Sequence, residues 1–143
     1  MGKKRLVTTN NKEGEGLTKT SSKSSRRRTL TFGTLYVRST YNNTALSISD
    51  EKGNIIAWSS SGTLGFKGAK KGTPFAAAKV GEALAEKADE IGLKEVSVVV
   101  SGVGSGRESA IRGFISKGIL VKKIKDTTPI PHNGPRPPKP RRV

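Results

Sequence analysis

Cysteine is absent from this 143-residue chain. That excludes a disulfide framework, thiolate metal sites and a thiol nucleophile, and it fits a reducing compartment. Histidine occurs once, at His132, with no nucleophile or second metal ligand beside it, so neither catalysis nor metal binding has a partner set to build on. No apolar run approaches the roughly 18 residues of a membrane span, and the N-terminus has no apolar stretch of the kind that opens a secretory signal. Met1-Gly2 starts like a myristoylation site, but Leu6 stands where that motif wants Ser or Thr. Glu13 and Glu15 argue against an organelle transit segment, which would be poor in acids.

Acidic side chains are scarce: 11 Asp and Glu stand against 27 Lys and Arg, giving a formal net charge of +16 and a pI near 10.5. The expected partner is a polyanion, and nucleic acid is the usual one. Residues 1–28 carry nine basic and two acidic side chains, residues 29–121 eleven and eight, and residues 122–143 seven and one. The charge therefore sits in two basic arms around a near-neutral centre. Proline is also unevenly placed. Six of seven lie between Pro129 and Pro140, interleaved with Arg136, Lys139, Arg141 and Arg142. Proline removes backbone donors and fixes φ, so this segment is expected to be a stiffened, extended, polyproline-like cationic tail.

What is present in the centre reads as an α/β domain. Residues 1–28, ending in Arg26, Arg27 and Arg28, have few apolar side chains and read as a flexible arm. Residues 29–126 read as the globular core and 127–143 as the tail. Leu35, Val37 and Ser39 alternate with Thr34, Tyr36 and Arg38 in a first strand, and Leu46 and Ile48 alternate with serines in a second. Asn42-Asn43 between them marks a turn and tolerates left-handed backbone. Asp50 to Asn54 reads as a hairpin loop using Gly53, and Ile55 to Ser60 as a third strand. Thr73-Pro74 reads as N-cap and first residue of a helix that Gly92 stops, with Phe75, Ala78, Leu84, Ala88 and Ile91 near one stripe. Val98-Val99-Val100 suits a central parallel strand. A glycine loop over Gly102–Gly106 leads to a helix from Arg107 to Lys117, with Ala110, Ile111, Phe114 and Ile115 inward, and Ile119 to Ile124 form a last strand. The β-β-β-α-β-α-β order predicts a mixed sheet flanked by helices, a topology that resembles the ribonuclease H-like group of folds.

That topology raises a nuclease reading, because two-metal phosphoryl chemistry runs on such folds with converging carboxylates. The first strand has no acid, Asp50 and Glu51 fall in a turn, Glu82, Glu86, Asp89 and Glu90 fall on a solvated helix face, and Glu108 begins a helix. Nothing converges. The loop Gly102 to Arg107 is neither a P-loop nor a dinucleotide fingerprint. It is either a tight packing turn or a phosphate site at a helix N-terminus with Arg107 on the backbone of a nucleic acid, and both readings stay open. The loop Phe66-Lys67-Gly-Ala-Lys70-Lys71 mixes cations, glycines and an aromatic as RNA binders do. For Phe66 itself, packing against the core is favoured over base stacking. For Tyr36 and Trp58, core or rim packing is likewise favoured over a stacking platform. Asn42-Asn43-Thr44 matches a glycosylation sequon that lacks a secretory context.

Several stretches together resemble one family. They are Tyr41-Asn-Asn-Thr44, Gly65-Phe-Lys-Gly68, Thr73-Pro-Phe-Ala-Ala77, Gly104-Ser-Gly-Arg-Glu-Ser109 and Thr127 to Val143. From about residue 33 onward the chain is similar to the universal small-subunit ribosomal protein eleven family, in its bacterial form. Val103 stands where the family usually has proline, and Pro135 where bacterial members often have cysteine. The resemblance implies a cytoplasmic, non-enzymatic constituent of the ribosome without a cofactor. It implies a place on the platform of the small subunit, bridging helices of small-subunit ribosomal RNA and helping to form the cleft for the mRNA leader (Shine-Dalgarno) duplex. It also implies small-subunit proteins seven and eighteen as neighbours and an association with initiation factor three.

The expected RNA contacts are phosphate contacts from Arg26, Arg27, Arg28, Lys67, Lys70, Lys71, Arg107, Arg136, Lys139, Arg141 and Arg142. Asn42, Asn43, His132 and Asn133 are expected to add polar contacts to sugars or base edges. The rival readings are an enzyme on the same fold and a free-standing nucleic-acid chaperone.

Overall fold

The computed structural model describes residues 29–142. The expected arm over residues 1–28, with Arg26, Arg27 and Arg28, lies outside them.

Three strands, β1 (Phe32–Ser39), β2 (Thr44–Ser49) and β3 (Ile55–Ser60), form an antiparallel meander. Its second turn is the Asp50–Asn54 loop. Asp50 Oδ1 accepts from the backbone N–H groups of Lys52 and Asn54, each at 2.9 Å, and Gly53 takes φ 86° as its position requires. The first turn falls where Asn42-Asn43 marks it. Neither Asn42 nor Asn43 takes positive φ. The Thr40 hydroxyl closes that turn instead, donating to the Asn43 carbonyl and accepting from the Asn43 N–H.

Helix α1 (Pro74–Ile91) follows, then β4 (Glu95–Ser101), α2 (Gly106–Ile115) and β5 (Leu120–Asp126). The Thr73 side chain accepts from the Ala76 N–H, Pro74 opens α1, and Gly92 ends it in the left-handed region at φ 84°. The sheet order is β3-β2-β1-β4-β5, with β4 parallel to both β1 and β5. This is the mixed sheet that the element order predicts.

Helices α1 and α2 flank the sheet. Both lie on one face, because a single buried cluster joins them to the same strand phase: Leu35, Val37, Leu46, Ile48, Val96, Val98 and Val100 from the sheet, Val80, Leu84 and Ala88 from α1, and Ala110 and Phe114 from α2. The two helices touch backbone to backbone. A Cβ on Gly81 would stand 2.4 Å from the Ala110 carbonyl oxygen, and one on Gly113 2.4 Å from that of Ala78. Hence Phe75, expected inward, is exposed, and so in part is Ile115. The buried phase of α1 is Ala76, Ala77, Val80, Gly81, Leu84, Ala85 and Ala88, the small residues that let α2 approach. Val99, apolar in sequence, faces the uncovered side of the sheet.

Candidate nucleic-acid interface

The carboxyl ends of β1, β3, β4 and β5 and the N-termini of both helices lie at one end of the sheet. In open α/β sheets this is the end at which loops converge on a ligand. Four segments meet there: the Tyr41–Asn43 turn, the Ser61–Gly72 loop, the Val103–Ser105 loop and the root of the tail.

Buried hydroxyls and close backbone approach hold them together. Ser61 Oγ accepts from the Thr44 N–H and donates to the Lys71 carbonyl at 2.8 Å, which fixes the lysine loop to the start of β2. A Cβ on Gly72 would fall 2.1 Å from the Tyr41 carbonyl oxygen, and one on Gly104 2.3 Å from that of Thr40. Only glycine lets those loops rest on the end of β1. Ser105 Oγ donates to the Gly72 carbonyl at 3.1 Å and so ties the two glycine-rich loops together. The glycines of the Gly102–Gly106 loop thus do the work of close packing, one of its two open readings.

Lys67 and Lys70 are exposed at the surface of this cluster and Lys71 is half-buried, in and before a short 3-10 helix over Gly68–Gly72. Phe66 meets Phe75 edge to face at 6.2 Å, so it packs locally, against a residue that is itself outside the core. Asn42 is exposed. Asn43 is half-buried, and its Oδ1 is buried without a hydrogen-bond partner among the described residues.

Arg107, the second residue of α2, is held by the Asp126 carboxylate at the end of β5. Asp126 also accepts from the Thr128 hydroxyl at 2.6 Å and the Thr128 N–H at 2.9 Å. These hydrogen bonds from Thr128, with that from Arg107, lower its pKa from 3.8 to about 2. Thr128 Oγ1 accepts in turn from the Gly102 N–H, and the Thr127 N–H donates to the Val100 carbonyl at 2.8 Å. The tail therefore leaves from a clamp made by β4, the glycine loop and Arg107. The sequence reading missed this clamp. An Asp followed two residues on by Thr, a local turn pattern, was the available signal.

Beyond Thr128 the described tail is exposed, and its course is not the uniform extended one expected. Asn133 sits at φ 54°, the only non-glycine residue with positive φ among those described, and the backbone bends at His132, Asn133 and Pro135. A Cβ on Gly134 would come within 2.9 Å of the Pro131 ring, so the bend is tight. The left-handed asparagine is here, not in the Asn42-Asn43 turn.

The Ser61–Gly72 loop and the tail beyond Asp126 contain no Asp or Glu among their described residues, whereas unpaired cations elsewhere, such as Lys87 and Lys123, share their elements with acids. Among the described residues the ion pairs are Lys79–Glu82, Arg107–Asp126, Arg112–Glu108, Lys117–Glu86 and Lys122–Glu95. None includes Lys67, Lys70, Lys71, Arg136, Lys139, Arg141 or Arg142. Among the described residues there is no group of three or more His, Cys, Asp or Glu placed to hold a metal ion, and no helix is long and apolar enough to cross a membrane.

Known proteins match this sequence closely. The chain is 55% identical over 125 residues to a small ribosomal subunit protein uS11 of Solibacter usitatus, a match covering 87% of this chain and 93% of that protein. It is 52% identical over 126 residues to proteins of the same description from Synechococcus sp. and Synechococcus elongatus, covering 88% of this chain and 97% of each. The family model for ribosomal protein S11 matches residues 33–142, from β1 through the tail, and the chain accordingly belongs to the ribosomal protein S11 family.

Proposed function

We propose that this protein binds small-subunit ribosomal RNA through the loop end of its sheet and its basic extensions. Family membership makes it a structural, non-enzymatic constituent of the small ribosomal subunit. The observation that carries the RNA contacts is that two segments starting from the same end of the sheet, the Ser61–Gly72 loop and the tail beyond Asp126, hold seven cations and no Asp or Glu, and none of the seven is in an ion pair among the described residues. A cation with a nearby carboxylate is already neutralised. One without is available to a phosphate.

In this reading Lys67, Lys70 and Lys71 form one phosphate contact and Arg136, Lys139, Arg141 and Arg142 a second, with Arg26, Arg27 and Arg28 extending the grip from the other arm. Asn42, Asn43, His132 and Asn133 reach sugars and base edges. Arg107 keeps donors beyond those used by Asp126 and contacts a phosphate at the tail root. Two cationic segments on one rigid base suit bridging of separate RNA helices. The finer placement follows the family: the platform, proteins seven and eighteen as neighbours, the mRNA leader cleft and initiation factor three.

Binding by this route falls steeply with salt, because each neutralised phosphate releases counterions, with a slope of about 0.7–0.9 per contact. Affinity for ribosomal RNA measured across a salt series tests it, and a salt-independent affinity counts against it. Bridging is tested by cleavage probes attached at positions 70 and 139 of the assembled subunit. Cuts in separate RNA helices support it, and cuts confined to one helix do not. Co-sedimentation with small subunits after a salt wash separates a subunit constituent from a free-standing chaperone.

A further inference from the structure

The face of the sheet opposite the helices is open, and two aromatics stand on it. Tyr36 is 42% exposed and Trp58 59%. The core or rim reading of these residues therefore fails for the core. Register places them as a pair: Ser47 on β2 is opposite Tyr36 on one side and opposite Trp58 on the other. They are two strands apart, about 9–10 Å, with only a serine between. Two rings that sandwich a flat heterocycle need a gap of roughly 7 Å, twice the ~3.4 Å stacking distance of bases. The two-strand spacing is wider than that, so it leaves room for a base beside either ring. With Arg38, Ala45, Val99 and Ser101 the two rings line an apolar groove of about 500 Å3.

The charge around this groove has one sign. Its lining includes Arg38 and no carboxylate. Lys123 and Lys125 on β5 are in register with Ser97 and Val99, which puts them on the same face. None of these three cations has an ion pair among the described residues, whereas Glu95, at the far end of β4, is taken by Lys122. Thr127, at the tail root, also lines the groove, so a strand leaving it passes directly to the loop end. An occupant must then combine flat apolar faces with regularly spaced negative charge. Unpaired nucleic acid has both. Paired RNA has the charge, but its bases are stacked in a duplex and cannot enter a slot between two rings.

We propose that this open face is a second nucleic-acid site. It takes one or two unpaired bases of single-stranded RNA against Tyr36 and Trp58, with Arg38, Lys123 and Lys125 on the adjoining phosphates. The site does not depend on the loop-end cations.

Trp58 is the only tryptophan of the chain, so its emission reports the site directly. The full chain is titrated with an unpaired adenosine oligonucleotide and, separately, with a fully paired RNA hairpin of the same charge. Single-stranded RNA is expected to quench Trp58 and the hairpin is not. By anisotropy of labelled RNA, Tyr36→Ala and Trp58→Ala are each expected to bind the single strand roughly 5- to 100-fold more weakly, the range for loss of one stacked base. Trp58→Phe, which keeps a ring, is expected to restore most of the affinity. Both aromatics are exposed, so circular dichroism should show the variants folded. Binding of the oligonucleotide with Trp58 emission unmoved, or alanine variants as tight as the parent, overturns the proposal and leaves the face to a protein partner. Hairpin binding without any single-strand quench overturns this site but not the loop-end reading. A quench that survives replacement of Lys67, Lys70 and Lys71 by alanine supports this site even where the loop-end reading fails.

Discussion

On the helices and outer strands of this protein acids and cations are mixed and several pair, as Lys79 does with Glu82, Lys117 with Glu86 and Lys122 with Glu95, although Lys87, Lys123 and Lys125 do not among the described residues. At the loop end and along the tail, Lys67, Lys70, Lys71, Arg136, Lys139, Arg141 and Arg142 have no such partner among the described residues. The two regions differ in where the acids lie. Eight of the nine described carboxylates fall between residues 50 and 108, in the hairpin turn, on α1, at the start of β4 and at the start of α2. The ninth, Asp126, marks the boundary: it binds Arg107 and holds the first residues of the tail. Net charge alone says that the protein seeks a polyanion. The absence of acids from the lysine loop and the tail supports the proposal that these segments do so.

That contrast can be broken from either side. The largest effect is expected in the body. Phe114 is fully buried between the helices and the sheet. Phe114→Ala should cost about 3–5 kcal/mol in denaturant unfolding, while the molecules that remain folded keep their RNA affinity. Lost affinity in the folded fraction would mean that body and interface are not separable. Deleting residues 129–143 should do the reverse. Stability should stay within about 0.5 kcal/mol of the parent, because the described tail is exposed. The salt slope of RNA binding should fall by roughly 3–4, one near-unit step per lost cation. Unfolding of the truncated chain would show the tail to be structural.

Replacing Lys67, Lys70 and Lys71 together by alanine is expected to lower the slope by roughly 2–3, with the thermal transition little changed. An unaltered slope would remove this loop from the interface. The smallest effect concerns the boundary residue. The Asp126 carboxyl is held down to about 2, first by Thr128 and then by Arg107, against an ordinary 3.8. Its contribution is fully present above the ordinary value and is lost as pH falls through the folded one. Between about pH 4 and pH 2 the Thr128 amide resonance should move with the Asp126 carboxyl carbon, with a midpoint near the lower end. A midpoint at the ordinary value would mean that the clamp does not form in solution.

Much of the fold was legible in the chain because the signals were local. Thr73, Pro74 and Gly92 delimit α1 by capping chemistry that needs no tertiary partner, and Asp50 with Gly53 closes its hairpin through its own neighbours. The misjudged residues depend on distant ones. Phe75 and Ile115 look inward by periodicity, yet the helix crossing at Gly81 and Gly113 turns the small-residue stripe of α1 inward instead. Asn42-Asn43 and Asn133 offer the same local tolerance of left-handed backbone. The Thr40 hydroxyl removes the need for it at the first site, and the proline-bounded bend imposes it at the second.

The candidate interface divides in the same way. The sequence by itself determined the order of elements, the two basic regions, the proline-rich tail and the family, because these rest on composition, local turn chemistry and residue order. Only the tertiary structure decided that both helices cover one face and leave Tyr36 and Trp58 open on the other, that Arg107 is tied to Asp126, and that the lysine loop and tail root share one end of the sheet. The physical reason is that exposure and charge pairing are properties of which surfaces meet. Alternation along a strand marks two faces but does not say which of them the helices will take.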